Sequence, residues 1–291
     1  MPASVRPRRS ILYMPGSNPR ALEKGRALPA DGLILDLEDA VAPDAKADGR
    51  QEIAKALAAR DAYAWRELVV RVNGLDTPWG HADLAAMATV GADAILLPKV
   101  DSADAVRRAL HVLASAGAPA DLPIWCMIET PRGVLHVEEI ADCERVQCLV
   151  MGTSDLTKDL QSLHTPLRLP MLPSLGMCLL AARAAGISIL DGVYLDLGDD
   201  EGLAESCRQG RELGFDGKTL IHPKQIAATN AAFGPSPAEV TWARRIIDAY
   251  EAALAEGKGV VVVDGKLVEN LHVVEARRLV ALAESIEARA A

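Results

Sequence analysis

Residues 124–155 read IWCMIETPRGVLHVEEIADCERVQCLVMGTSD. Two short apolar runs, Ile124 to Ile128 and Cys148 to Met151, each lead into a polar cluster that carries a carboxylate, Glu129 in the first and Asp155 in the second. A helix-length segment separates them. Short apolar runs alternating with such segments mark βαβ units and a parallel sheet. Outward from this unit the pattern repeats, with candidate strands at Ser10 to Met14, Gly32 to Leu37, Leu68 to Asn73, Ala94 to Lys99, Ile124 to Glu129, Gln147 to Thr153, Ser188 to Val193 and Gly217 to His222. Helix starts fall at Ser102-Ala-Asp-Ala and Asp200-Glu-Gly-Leu, where small polar or acidic residues cap open amides. Stops fall at Gly91, Gly117, Gly186 and Gly214, each just before the next strand.

Eight such units predict an α/β fold, a (β/α)8 TIM barrel over residues 1–256, with a C-terminal helical extension over 257–291 that closing the barrel does not require. Pro235-Ser-Pro237 opens a long amphipathic helix to about Gly257. Val260 to Val268 around Asp264-Gly265 and a last helix from about Val273 follow.

Of the 291 residues, half are hydrophobic but only 3% are Phe, Trp or Tyr, so the core rests on Ala, Val, Leu and Ile, as barrel packing allows. A formal charge of −9 argues against a nucleic-acid or anionic-membrane surface and for a small-molecule partner. Cys126, Cys143, Cys148, Cys178 and Cys207 contain no CxxC pair, which reads as free thiols in a reducing compartment. The segment Met1 to Arg9 lacks the apolar stretch of a signal peptide, and no run approaches a membrane span of ~20 residues. The expected location is cytoplasmic.

In parallel barrels, catalytic side chains stand at the C-terminal ends of strands. Glu129 and Asp155 occupy that rim on adjacent strands, where two carboxylates suit a hard cation such as Mg2+, with Mn2+ an alternative. The competing role for each is a helix cap or a salt bridge. Arg71 ends the third strand, either as a cation facing the barrel mouth or as an ion-pair partner of Asp36, Glu38 or Asp39. Asp36 and Glu38 face the same side, and one of them is expected to orient Arg71 or metal-bound water. Glu38 is placed with Arg71 in the catalytic set. Lys99 reads as a Schiff-base lysine or a salt-bridge partner, and His222, before Pro223, as a turn histidine. The turn Gly16-Ser-Asn-Pro19 precedes a helix carrying Arg20 and Lys24, where amides and cations can meet phosphate. The segment Leu163 to Pro173 reads as a rim loop that shapes the substrate pocket.

Arg9-Ser-Ile-Leu-Tyr-Met-Pro-Gly16, Asp36-Leu-Glu-Asp-Ala-Val41, Arg71-Val-Asn73, Leu97-Pro-Lys99, Ile128-Glu-Thr130, Gly152-Thr-Ser-Asp-Leu-Thr-Lys-Asp159 and Gly214-Phe-Asp-Gly-Lys-Thr-Leu-Ile-His-Pro223 together resemble the citrate lyase β-subunit-like family, which includes malyl-CoA and citramalyl-CoA lyases. The resemblance implies that Glu129 and Asp155 hold Mg2+, that Arg71 faces the reacting carbonyls, and that Tyr13, Arg20 and Lys24, with Arg71, lie along a CoA site. It implies that the C-terminal helical extension, residues 257–291, is a lid that covers a neighbour's site in a homotrimer or hexamer. It also implies that Glu269, in Gly265-Lys-Leu-Val-Glu-Asn-Leu-His272, stands where the lyases have a proton-carrying aspartate; the structural alternative is a pair with Arg277 or Arg278.

The expected activity is Mg2+-dependent carbon–carbon lysis of a malyl-CoA or citramalyl-CoA type thioester to acetyl-CoA and a 2-oxo acid, glyoxylate or pyruvate, or the reverse condensation. The alternatives are a malyl-CoA-type thioesterase, a class I aldolase using Lys99 or Lys218, and a subunit that binds CoA without turnover.

Overall fold

The computed structural model describes residues 6–290, so Met1 to Val5 of the arginine-bearing N-terminal segment, and Ala291, lie outside the described residues. Eight parallel strands close into a barrel in sequence order: β1 (Ser10–Pro15), β2 (Gly32–Asp36), β3 (Glu67–Arg71), β4 (Ala94–Leu97), β5 (Ile124–Ile128), β6 (Val146–Met151), β7 (Ser188–Asp191) and β8 (Gly217–Leu220), with β8 pairing back onto β1. All eight expected strands are present, and most stop before the polar residues that follow them. Asn73, Lys99, Glu129 and Thr153 therefore stand just past the ladder.

Side chains alternate between two layers along each strand, as the pleat requires. Ile11, Ile34, Val69, Leu96, Trp125, Met127, Val150 and Leu190 fill the barrel interior. Leu12, Leu33, Leu35, Val70, Ile124, Cys126, Leu149 and Ile189 pack outward beneath the helices. The same alternation carries the next inward rung to Tyr13, Asp36, Arg71, Glu129 and Gly152, which is why polar residues collect at one mouth. Ser102 caps its helix by accepting from the Ala105 amide, and Asp199 does so from Gly202. Gly91, Gly117, Gly186 and Gly214 all have positive φ, between 69° and 105°. The four residues flagged as helix stops thus adopt the left-handed conformation that glycine permits. All five cysteines are free thiols, four of them buried. Among the described residues, no helix is long and apolar enough to cross a membrane.

The chain divides into two compact units, one formed by residues 8–233 and the other mainly by residues 234–291. The second consists of helix Pro237–Ala255, an antiparallel pair β9 (Val261–Val263) and β10 (Lys266–Val268), and helix Asn270–Ala290. Ser236 and Glu239 form a reciprocal capping box at its start. Asp264 and Gly265, at φ 49° and 76°, supply the two left-handed positions that a tight hairpin turn needs. Ile246, Tyr250, Val263, Val268 and Val273 build a core of its own. Helix Pro237–Ala255, on the barrel side of the boundary expected at residue 256, therefore clusters with the tail.

Candidate active site

A cavity of 330 Å3 opens at the mouth of the first unit, lined by Tyr13, Asp36, Asp39, Arg71, Glu129, Gly152, Thr153, Ser154 and Asp155 among others. Glu129 is only 2% exposed. Its Oε1 accepts the Lys99 amide at 2.8 Å, and Lys99 takes a left-handed backbone, φ 49°, at the residue that presents that amide. A non-glycine residue held in that region marks a position fixed by its surroundings. Thr130, not Glu129, caps the next helix, accepting from Gly133 at 3.0 Å. The strand after Glu129 comes so close that a Cβ on Gly152 would lie 2.3 Å from the Glu129 Cβ and 2.5 Å from its Oε2. Glycine is required there by space.

Burial, and then the charge of Glu38, push the Glu129 carboxyl up to about 8. The charges of Lys99 and Arg71 and the Lys99 amide oppose that shift without cancelling it. Asp155 stands in the first turn of helix Thr153–Asp159, whose N-cap is Gly152, and meets Lys158 only at 3.8 Å. Glu129 and Asp155 thus share one cavity without being consumed by caps or tight ion pairs. Among the described residues no three His, Cys, Asp or Glu converge as a metal-binding group. A two-carboxylate donor set fits Mg2+, which commonly takes one or two protein carboxylates and leaves its other positions to water and substrate oxygens.

Arg71 is 7% exposed and held from several sides. Its Nε and Nη2 donate to the two Asp36 oxygens at 2.7 and 2.6 Å, and Nη1 lies 2.8 Å from Glu38 Oε2 and 3.6 Å from Asp39. The Tyr13 ring lies beneath the guanidinium, 4.8 Å to the centroid. Burial disfavours the Arg71 charge, but the Asp36 hydrogen bonds together with the charges of Asp36, Tyr13 and Glu38 outweigh it and raise its pKa. The structure therefore forms the ion pair and also puts Arg71 on the cavity wall, so the two roles open in the sequence coexist. Asp36 and Glu38 do face the same side, and both grip Arg71.

Lys99 Nζ donates to Glu38 Oε1 at 2.6 Å, which raises the lysine pKa against the opposing effect of burial. A Schiff-base lysine needs the opposite shift. Lys218 is fully buried against Asp191 at 2.8 Å and Ser206 at 3.0 Å, in the layer between barrel and helices. His222 accepts the Lys224 amide through Nδ1 at 3.1 Å, the turn role expected of it.

Arg20 and Lys24 are exposed, one turn apart on helix Pro19–Gly25, while Tyr13 belongs to the cavity wall. Glu269 belongs to the second unit, where its amide donates to His272 Nδ1 at 3.0 Å. Arg277 pairs with Glu251 at 2.7 Å and Arg278 with Glu275 at 2.8 Å. Sequence reasoning missed the spatial role of Gly152, although a glycine placed directly after an apolar strand was its available signal.

The family model described as HpcH/HpaI aldolase/citrate lyase matches residues 9–223. A (3S)-malyl-CoA thioesterase of Cereibacter sphaeroides (strain KD131 / KCTC 12085) is 54% identical over 288 residues, covering 99% of each chain. An L-malyl-CoA/beta-methylmalyl-CoA lyase of Cereibacter sphaeroides (strain ATCC 17029 / ATH 2.4.9) is 37% identical over 310 residues, covering 98% of this chain and 97% of that one. Among solved structures, protein CitE from Mycobacterium tuberculosis in complex with magnesium, acetoacetate and coenzyme A superposes with a TM-score of 0.76 at 29% identity, covering 94% of this chain and 97% of that one. A barrel whose rim carries this carboxylate pair, matched over nearly its whole length by these relatives, places the chain in the HpcH/HpaI aldolase/citrate lyase family.

Proposed function

We propose that this protein is a Mg2+-dependent thioesterase that hydrolyses a malyl-CoA-type thioester to free CoA and the hydroxy diacid. The observation that carries this reading is the 54% identity, over 99% of both chains, with a malyl-CoA thioesterase, against 37% with a malyl-CoA lyase. Carbon–carbon lysis is the second reading, favoured by that lyase and by the family as a whole. Either reaction needs the same site.

Glu129 and Asp155 would hold the metal, which supplies Lewis-acid polarisation of substrate oxygens when bound. The Lys99 amide fixes the Glu129 carboxylate, while Asp36 and Glu38 fix Arg71 so that its charge faces the cavity. That preorganised charge would stabilise the oxyanion formed as water adds to the thioester carbonyl. The carbon–sulfur bond then breaks, the acid keeps the water oxygen, and the thiolate leaves as CoA. In this reading Tyr13, Arg20 and Lys24 border the CoA, and Glu269 manages the proton as part of a lid over a neighbouring subunit in a trimer or hexamer.

The test is to incubate purified protein with malyl-CoA and Mg2+ while following free thiol and trapping 2-oxo acids as hydrazones. Thiol release without hydrazone is expected. Hydrazone formation matched by acetyl-CoA would transfer the assignment to the lyase reading.

A further inference from the structure

Lys99 touches both parts of the site, each with a different group. Its backbone amide bonds Glu129 Oε1, and its half-exposed ammonium bonds Glu38 Oε1 at 2.6 Å. The left-handed turn at φ 49° lets one residue serve both. The donors of Arg71, in contrast, are unequally spent. Nε and Nη2 each donate to one Asp36 oxygen. Nη1 lies 2.8 Å from Glu38 Oε2, yet the two are not aligned as a hydrogen bond, and that buried oxygen has no hydrogen-bond partner among the described residues. The bond that Nη1 does make is a long one, 3.9 Å, to Met127 Sδ. A thioether sulfur is a weak acceptor. Charge therefore joins Glu38 to Arg71, while the directed bond of Glu38 goes to Lys99.

A buried carboxylate oxygen gains from turning onto a guanidinium N–H, because charge-assisted bonds are about twice as strong as neutral ones. Glu38 is 7% exposed and within reach of Nη1, but the bond from Lys99 anchors its other oxygen and so fixes the plane of the carboxylate. We infer that the Lys99 ammonium is a positioning group for the reaction: by anchoring Glu38 it keeps that carboxylate from closing over Nη1, and the Nη1 hydrogens of Arg71 remain for the carbonyl oxygen of the substrate. This rests on the proposed function for the place of Arg71 at the reacting carbonyl, which the thioesterase and lyase readings share. Without the ammonium, Glu38 turns to Arg71, the cation left within ion-pair distance of its carboxylate among the described residues, and occupies that donor.

Lys99→Met keeps the length of the side chain and the backbone amide, and removes the charge with its bond. The variant should melt as the wild type does and bind Mg2+ within about 3-fold of it by calorimetry, because the contact with Glu129 is main-chain. Its kcat for thiol release from malyl-CoA should nevertheless fall about 100-fold, the scale for losing one oxyanion donor. Lys99→Arg, at a half-exposed position with room for a longer cation, should recover turnover to within about 5-fold of wild type. In a Glu38→Gln background, Lys99→Met should cost less than about 3-fold more, because residues that act through one another do not add. Turnover of Lys99→Met within about 3-fold of wild type, a matching loss of Mg2+ affinity, or losses that multiply with Glu38→Gln overturns the inference. A wild type that yields neither free thiol nor hydrazone removes the proposed function. The inference is then read from calorimetric binding of the ketone analogue of succinyl-CoA, CH2 in place of sulfur, which can be neither hydrolysed nor cleaved. Lys99→Met should weaken that complex by about 10-fold, the worth of one hydrogen bond from a charged donor, and equal affinity in the two proteins overturns the inference.

Discussion

Replacing Gly152 by alanine should disable the proposed metal site while leaving both proposed ligands, Glu129 and Asp155, in the sequence. The added Cβ would stand 2.3 Å from the Glu129 Cβ, whereas carbon atoms in contact settle at about 3.5–4.0 Å. Glu129 must therefore retreat by more than ~1 Å. Because the clash is with its Cβ, rotating the carboxylate does not relieve it, and the backbone of β5 or β6 has to move. The Lys99 amide bond to Oε1, 2.8 Å long, then lengthens or breaks. Overpacking of this kind costs about 1–3 kcal/mol, which for a chain of this size lowers Tm by several degrees. Misplacing a catalytic group by about 1 Å can cost ~100-fold in rate. Gly152→Ala should thus remain folded, bind Mg2+ at least ~10-fold more weakly and lose about 100-fold in kcat/KM. Calorimetric Mg2+ titration, thermal melts and the thiol-release assay read these three effects. Mg2+ affinity and turnover within about 3-fold of wild type would refute the claim that the tight fit of Gly152 against Glu129 positions a metal ligand.

Glu129→Gln and Asp155→Asn should each nearly abolish turnover while leaving melting intact, and EDTA should silence the wild type reversibly, as assayed by thiol release before and after Mg2+ or Mn2+ is restored. Glu269→Gln should lower turnover by ~100-fold without changing Mg2+ affinity, and subunit mixtures with Asp155→Asn should regain activity if the lid acts between subunits. Asp191→Asn strands Lys218 and Arg168 in a buried layer and should cost about 3–5 kcal/mol in urea unfolding. Burial alone would raise the Asp191 pKa, but those two cations hold it below the ordinary 3.8. Its contribution is then present above about pH 4 and lost as pH falls through the lower, folded value, so wild type and variant should converge in stability under acid. Borohydride should trap no adduct on Lys99, whose ammonium is committed to Glu38, and a trapped lysine would revive the class I aldolase alternative.

The barrel was legible because its signals are local. Strands announce themselves as four- to six-residue apolar runs, and Gly91, Gly117, Gly186 and Gly214 mark helix ends through a conformation that other residues avoid. Glu129 was legible from the end of its strand, where the rim of a parallel barrel collects the next polar residue, whereas Asp155 stands four residues past Met151, in the first turn of the following helix, and still lines the same cavity. The ion-pair fan around Arg71 was legible only in part. The sequence named Asp36, Glu38 and Asp39 as partners, but the bidentate grip of Asp36 and the Tyr13 ring beneath are facts of register between β1, β2 and β3. Lys99 was read through its side chain, whereas its backbone amide is what touches Glu129. A left-handed φ at a lysine has no compositional signature. The fit of Gly152 against Glu129 likewise depends on the distance between strands, which no spacing reports. The boundary expected at residue 256 followed the length of an amphipathic helix, and the packing of Ala243, Ile246 and Tyr250 against Val273 and Ala276 depends on contacts outside that helix.

Thioester hydrolysis at the Glu129–Asp155 site is tested most directly by running the reaction on malyl-CoA and Mg2+ in water enriched in heavy oxygen and weighing the products. Hydrolysis places one heavy oxygen in the new carboxylate of malate, in step with CoA release, and Glu129→Gln removes both signals. Acetyl-CoA and glyoxylate in place of labelled malate, or label incorporation that persists in Glu129→Gln, would contradict it.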